Sequence, residues 1–201
     1  MYAETSHQNP EGKCADLAFR LAVYEAGHAL TARALNLHIL SVRMLPRPPV
    51  LSSDKTFNNN DWVSFIEALE IRVIELFGGQ IAEETACSCN TCGIGDIARV
   101  DELSRLIAGL KGEEDAETVM FELEDIALKI FAKPEYKDAI IPIATFLAER
   151  VEAGEELIKG ADIEAELDKY VPRAPKETWA KKNCFPLAAN REVVAEIRTS
   201  C

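Results

Sequence analysis

The fold reading of this chain turns on Leu21-Ala22-Val23-Tyr24-Glu25-Ala26-Gly27-His28-Ala29-Leu30-Thr31-Ala32. Its alanines and leucines favour helix, and a helix is predicted from about Asp16 to Leu35. On a helix, residues i and i+4 lie on one face, one turn apart. Tyr24 and His28 stand in that relation, and Glu25 shares their face. A phenol, a carboxylate and an imidazole are therefore expected to project together. Taken alone, they are also ordinary residues of an Ala-rich helix.

The stretch matches the motif H-E-x-x-H with Tyr24 in place of the first histidine. In that motif two imidazoles hold Zn²⁺ and the glutamate acts as general base on metal-bound water. A phenol, with an unperturbed pKa near ~10, rarely serves zinc; Cys, His, Asp and Glu are the usual ligands. Two further segments follow: Leu76-Phe77-Gly78-Gly79-Gln80-Ile81-Ala82-Glu83-Glu84, then Thr91-Cys92-Gly93-Ile94-Gly95-Asp96-Ile97-Ala98-Arg99-Val100-Asp101-Glu102-Leu103.

In order and spacing the three segments resemble the peptidase domain of the FtsH family, the membrane-anchored ATP-dependent zinc proteases. That domain carries H-E-A-G-H-A-L, G-G-R-x-A-E-E and a T-G-x-x-x-D-L segment. The resemblance covers residues 15–170 and weakens after 110. It implies a single zincin-like domain, mainly α with a small β-sheet. It also implies His28 and Asp96 as metal ligands and Glu25 as the base. Tyr24 departs from the pattern at a ligand position, Gln80 replaces the arginine of the middle motif, and Cys92 and Gly93 depart from the usual T-G-A.

Three functions follow from this mixture. The first is a pseudo-peptidase that binds polypeptide or a protein partner without cleaving it, with no zinc or only weakly bound zinc. The second is a zinc metalloendopeptidase with a non-standard ligand set. The third is a metal- or redox-responsive module built on cysteines. Loss of the imidazole at Tyr24 favours the first; retention of Glu25, His28 and Asp96 favours the second.

Composition narrows the partners. The 201 residues carry 22 basic and 34 acidic side chains, a net charge of −12. Nucleic acid and anionic lipid reward Lys and Arg clusters, so neither is expected. No apolar run approaches the ~18–20 residues that span a bilayer. The start, Met1-Tyr2-Ala3-Glu4-Thr5-Ser6-His7, lacks a basic and apolar leader, and a cytoplasmic location is expected. No G-x-x-x-x-G-K-[ST] loop occurs, so no ATP site is expected.

The remaining organisation is mostly helical. Residues 1–14 read as a flexible tail, 15–170 as the domain, and 171–201 as linker and tail, with one helix near 190–198. Residues 38–45 alternate as a strand with Leu40, Val42 and Met44 on one side; by analogy it is a candidate docking edge for extended peptide. Asp61 is a plausible N-cap for a helix over 62–85, whose Gly78-Gly79 pair predicts close approach of the motif helix. Asp96 opens a helix with Ile97, Val100, Leu103, Ile107 and Leu110 inward. It is either an N-cap or, as the resemblance implies, a ligand. Helices follow over 115–131, after Pro134 with Pro142 kinking or interrupting it, and over 162–170.

Three of the six cysteines, Cys87, Cys89 and Cys92, crowd before Asp96. Free thiols, a disulfide and a metal role all compete, a reducing compartment arguing against the disulfide. The resemblance puts this loop beside the active site, so Cys89 or Cys92 could replace the missing imidazole. Cys14, Cys184 and Cys201 read as incidental, and His7 and His38 as surface or strand residues.

Overall fold

A computed structural model describes residues 10–54, 61–89, 91–112 and 115–173. They form six α-helices and a three-stranded antiparallel sheet. The helices are α1 (Leu17–Ala34), α2 (Trp62–Cys87), α3 (Ile94–Lys111), α4 (Ala116–Ala132), α5 (Pro134–Glu152) and α6 (Gly160–Leu167). The strands are β1 (Ile39–Arg43), β2 (Val50–Ser53) and β3 (Leu157–Lys159), in the order β2-β1-β3.

Helix α1 is the centre of the molecule. Asp16 caps it by accepting the Ala18 N–H at 3.0 Å, and from Ala22 to Arg33 every residue is buried. Such all-round burial needs small side chains wherever a neighbouring helix crosses. Gly27 meets α2 at Gly78: a Cβ on Gly27 would lie 2.2 Å from the Gly78 carbonyl oxygen, and one on Gly78 would lie 2.1 Å from Thr31 Oγ1. The predicted close approach at Gly78-Gly79 is thus present, and it sets the depth at which the motif residues sit. Asp61 caps α2 through the Ser64 N–H at 2.8 Å, as expected. Asp115 caps α4 in the same way, with its carboxylate accepting from Glu117 and Thr118. Pro134 opens α5, but Pro142 does not interrupt it; the helix runs on to Glu152.

The sheet closes one side of α1. Leu51, Val42 and Ile158 pair across the three strands and are all buried. Here the strand reading needs correction. A register shift between Ile39 and Ser41 puts Ile39 inside and leaves Leu40 55% exposed, while Val42 and Met44 stay inside. A bulge adds one residue and flips the alternation beyond it. Strand β1 is also the middle strand, so its hydrogen bonds are taken on both sides and β2 and β3 are the edges. The docking edge expected at 38–45 is therefore not available there.

Of the flexible tail expected over 1–14, residues 1–9 lie outside the described residues, and Pro10–Ala15 forms a 3-10 turn. At the other end Val171 is buried, and Arg173 bonds to Glu164, the Asn36 side chain and the Leu37 carbonyl, so the domain extends past 170. The helix expected near 190–198 lies outside the described residues. Among the described residues no helix is long and apolar enough to cross a membrane.

Candidate functional site

The site lies where α1, α2 and the start of α3 meet. Tyr24 and His28 stack edge to face on α1, ring centroids 4.7 Å apart. Gly79 on α2 makes room for both rings: a Cβ there would lie 2.7 Å from the Tyr24 Cζ and 2.8 Å from His28 Nε2. Asp96, in the first turn of α3, completes the group. Its Oδ2 accepts from the Tyr24 hydroxyl at 2.7 Å and lies 3.2 Å from His28 Nε2. Asp96 is not an N-cap; Gly93 occupies that position without a side-chain bond. The sequence-predicted residues Tyr24, His28 and Asp96 are thus brought together, with Glu25 beside them.

The protons of the site follow from its partners. His28 Nδ1 lies 2.8 Å from the Glu75 carbonyl oxygen. A carbonyl only accepts, so Nδ1 carries a proton. Nε2 then faces a carboxylate, and that contact is attractive only when Nε2 is protonated as well or shares a cation with Asp96. Burial opposes the imidazolium, but the Asp96 hydrogen bond and the Glu25 and Asp96 charges outweigh it, and His28 titrates above its usual value. For Asp96, burial works against the carboxylate, yet the His28 and Tyr24 bonds hold it below the usual range. Burial and the Asp96 charge push the Tyr24 phenol upward, so it is a neutral donor.

Glu25 is 2% exposed and its Oε2 has no hydrogen-bond partner. Burial pushes its pKa up to about 7; the Asp96 and Glu75 charges add to this and His28 opposes it. An unpaired carboxylate in such surroundings is costly, so the protonated form is favoured through the acidic range.

Sequence reasoning missed the support beneath the site. The Glu75 side chain is fully buried, accepting from Ser53 Oγ at 2.6 Å and from Arg72 Nη1 at 2.7 Å. It links β2 to the turn of α2 whose carbonyl orients His28. A charged residue between Ile74 and Leu76 in an apolar stripe was the available signal. Equally unseen was the role of Glu83. Its buried carboxylate accepts the backbone N–H groups of Thr91 at 3.1 Å and Cys92 at 3.0 Å, and the Thr91 hydroxyl at 3.1 Å. Burial works against its charge, but the hydrogen bonds from Cys92 and Thr91 keep its pKa low. Glu83 thereby fixes the loop that delivers Asp96.

The cysteines do not join His28 and Asp96. Cys89 Sγ lies 3.4 Å from Glu83 Oε1 and 3.7 Å from Arg20 Nη1. The Cys92 thiol bonds to Glu83 and Thr91; burial and then Glu83 push it up to about 12. Cys14 is not incidental, since it forms a disulfide with Cys87, 73 residues away. The N-terminal turn packs on both α1 and α2, and so meets the end of α2. Sequence distance concealed that pairing.

Zinc fits this donor set poorly. His28 and Asp96 are two ligands, Tyr24 is a neutral hydroxyl, and an ordinary catalytic zinc needs three protein ligands. Among the described residues no group of three or more His, Cys, Asp or Glu is arranged to hold a metal ion. Compared with models of known protein families and with curated proteins, the chain gives no match.

Proposed function

We propose that this chain is an FtsH-peptidase-like, zincin-like domain that binds polypeptide or a protein partner without cleaving it. The observation that carries the reading is the Tyr24 hydroxyl on Asp96 Oδ2 at 2.7 Å. In the resembled family a metal would join the corresponding aspartate to two histidines. Here a phenol proton and an imidazolium proton neutralise that carboxylate instead. The site becomes a hydrogen-bonded core, and the surface around it remains for binding. The Cys14–Cys87 bond fits an oxidising compartment better than the cytoplasm, and the reading holds in either.

A second reading, a zinc endopeptidase with a non-standard ligand set, draws on Glu25. Its unpartnered, buried oxygen beside His28 is the feature a general base would present.

Calorimetric zinc titration of the wild type and Tyr24→His separates the two. On the first reading the wild type binds zinc weakly and cleaves no unfolded peptide. Tyr24→His then places a second imidazole one turn from His28 and raises zinc affinity at least ~10-fold, or ~1.4 kcal/mol. Stoichiometric zinc in the wild type, with peptide cleavage lost in Glu25→Gln, would transfer the assignment to the second reading.

A further inference from the structure

A cavity of about 350 Å³ opens between the start of α1, the end of α5 and the segment that follows β1. Phe19 and Met44, 7% and 6% exposed, give it an apolar floor. Four charged side chains stand around it: Lys13 and Arg47, and across from them in sign Glu149 and Glu152. The volume falls within the ~300–1,000 Å³ of small-molecule sites.

The wall that carries Lys13 is fixed before any ligand arrives. The Cys14–Cys87 bond ties the 3-10 turn to the end of α2. The Asp16 N–H donates to the Lys13 carbonyl oxygen at 3.0 Å, and Lys13 Nζ lies 5.4 Å from the centre of the Phe19 ring. A preformed site loses less conformational entropy on binding.

The charges around the cavity do not neutralise one another. Among the described residues Lys13, Arg47, Glu149 and Glu152 form no ion pair. Asp16, which also lines the cavity, is engaged as the α1 cap. Arg150, the cation in the last turn of α5, pairs instead with Glu155 at 2.6 Å and Asp162 at 3.8 Å. Glu149 and Glu152 share a face of α5 at its C-terminal end, where the helix dipole disfavours carboxylates and favours a cation. The arrangement opposes helix stability and suits the ammonium group of a ligand.

An apolar anion would meet the two glutamates, and an apolar amine would meet Lys13 and Arg47. A ligand with one charge of each sign, separated by an apolar body, satisfies all four. A peptide has that form, with an amine and a carboxylate at opposite ends of its side chains. We propose that the cavity binds a short apolar peptide with both termini free. Its ammonium group lies at Glu149 and Glu152, its carboxylate at Lys13 and Arg47, and its side chains on Phe19 and Met44. This cavity and the Tyr24–Asp96 cluster share no residue, so the binding does not depend on whether that cluster holds a metal.

Calorimetric titration of the full chain at neutral pH with the tripeptide leucyl-alanyl-leucine is the test. The expected dissociation constant is below ~1 mM. N-acetylation or C-amidation of the peptide should each weaken binding at least ~10-fold, since each removes one charge-assisted contact. Free leucine, which has both charges but a smaller body, should bind at least ~10-fold more weakly than the tripeptide. Glu149→Gln with Glu152→Gln should weaken the free peptide at least ~10-fold and leave the N-acetyl peptide within ~2-fold. Both glutamates are exposed, and thermal unfolding of the variant checks that the fold is kept. No binding of the free tripeptide up to ~10 mM overturns the proposal. A peptide blocked at both ends that binds as tightly as the free one also overturns it, and assigns the cavity to an internal segment of polypeptide. Equal loss for free and acetylated peptide in the double variant removes the glutamates from ammonium recognition.

Discussion

The Tyr24 hydroxyl and the Asp96 carboxylate, 72 residues apart in sequence, meet at 2.7 Å across the junction of α1 and α3. The same Asp96 oxygen lies 3.2 Å from His28 Nε2, so one acceptor draws two elements together. The bond is charge-assisted and partly buried, the class of hydrogen bond whose loss is costly.

Tyr24→Phe keeps the ring and removes the proton. We expect a loss of ~1–3 kcal/mol in urea unfolding, with m unchanged. The Asp96 carboxyl, losing one of the two bonds that hold its pKa low, should titrate higher by carbon-detected NMR. A variant as stable as the wild type would mean that the phenol contributes only its ring.

Two glycines should respond in opposite directions. Gly79→Ala drives a methyl to within 2.8 Å of the Tyr24 and His28 rings and should destabilise by ~1–3 kcal/mol. Gly109→Ala, in the interior of α3 with nothing within 4 Å of its Cβ position, should stabilise by ~0.5–1 kcal/mol. Thermal unfolding of the pair is the check, and the same sign of shift in both would remove the packing argument.

Glu25 sets a pH dependence. Its folded pKa is raised from 4.5 to about 7, so the folded state binds the proton more tightly than the unfolded state. The stability linked to that proton is fully present below about pH 4.5 and is lost as pH rises through about 7. Glu25→Gln removes this dependence. The wild type should therefore lose on the order of 1–3 kcal/mol relative to Glu25→Gln between pH 5 and 8. Parallel stability curves for the two proteins would show that Glu25 titrates normally.

Arg33 anchors α6 beneath α1. It is 4% exposed and bonds to Glu164 and Asp168, each at 2.6 Å, and to the Glu164 carbonyl oxygen at 2.9 Å. Removing one partner of a buried pair strands the other, a loss of ~3–5 kcal/mol in well-buried cases. Asp168 is open to solvent and Glu164 keeps Arg173, so Arg33→Ala should cost ~2–4 kcal/mol. Loss below ~1 kcal/mol in chemical denaturation would place α6 outside the cooperative unit.

The sequence by itself determined the long helices and the residues that cluster. Asp61 announced a helix start because a short acceptor side chain satisfies free N–H groups locally. Tyr24, Glu25 and His28 share a face because helical periodicity is a property of the local chain. Gly78-Gly79 marked the helix crossing because only a missing Cβ permits it. Features set by distant partners were decided by the tertiary structure alone. Strands β2 and β3, of 4 and 3 residues, are too short for periodicity to reveal. The bulge that exposes Leu40 depends on pairing, and Ile97, expected inward, is 46% exposed because α3 turns another side to α2 and α4. The Cys14–Cys87 bond and the Glu83 grip on the loop join segments that approach only when α1 and α2 pack. The Tyr24 hydroxyl bond to Asp96 likewise depends on how α1, α2 and α3 pack, a property of three packed helices and not of the motif that contains Tyr24.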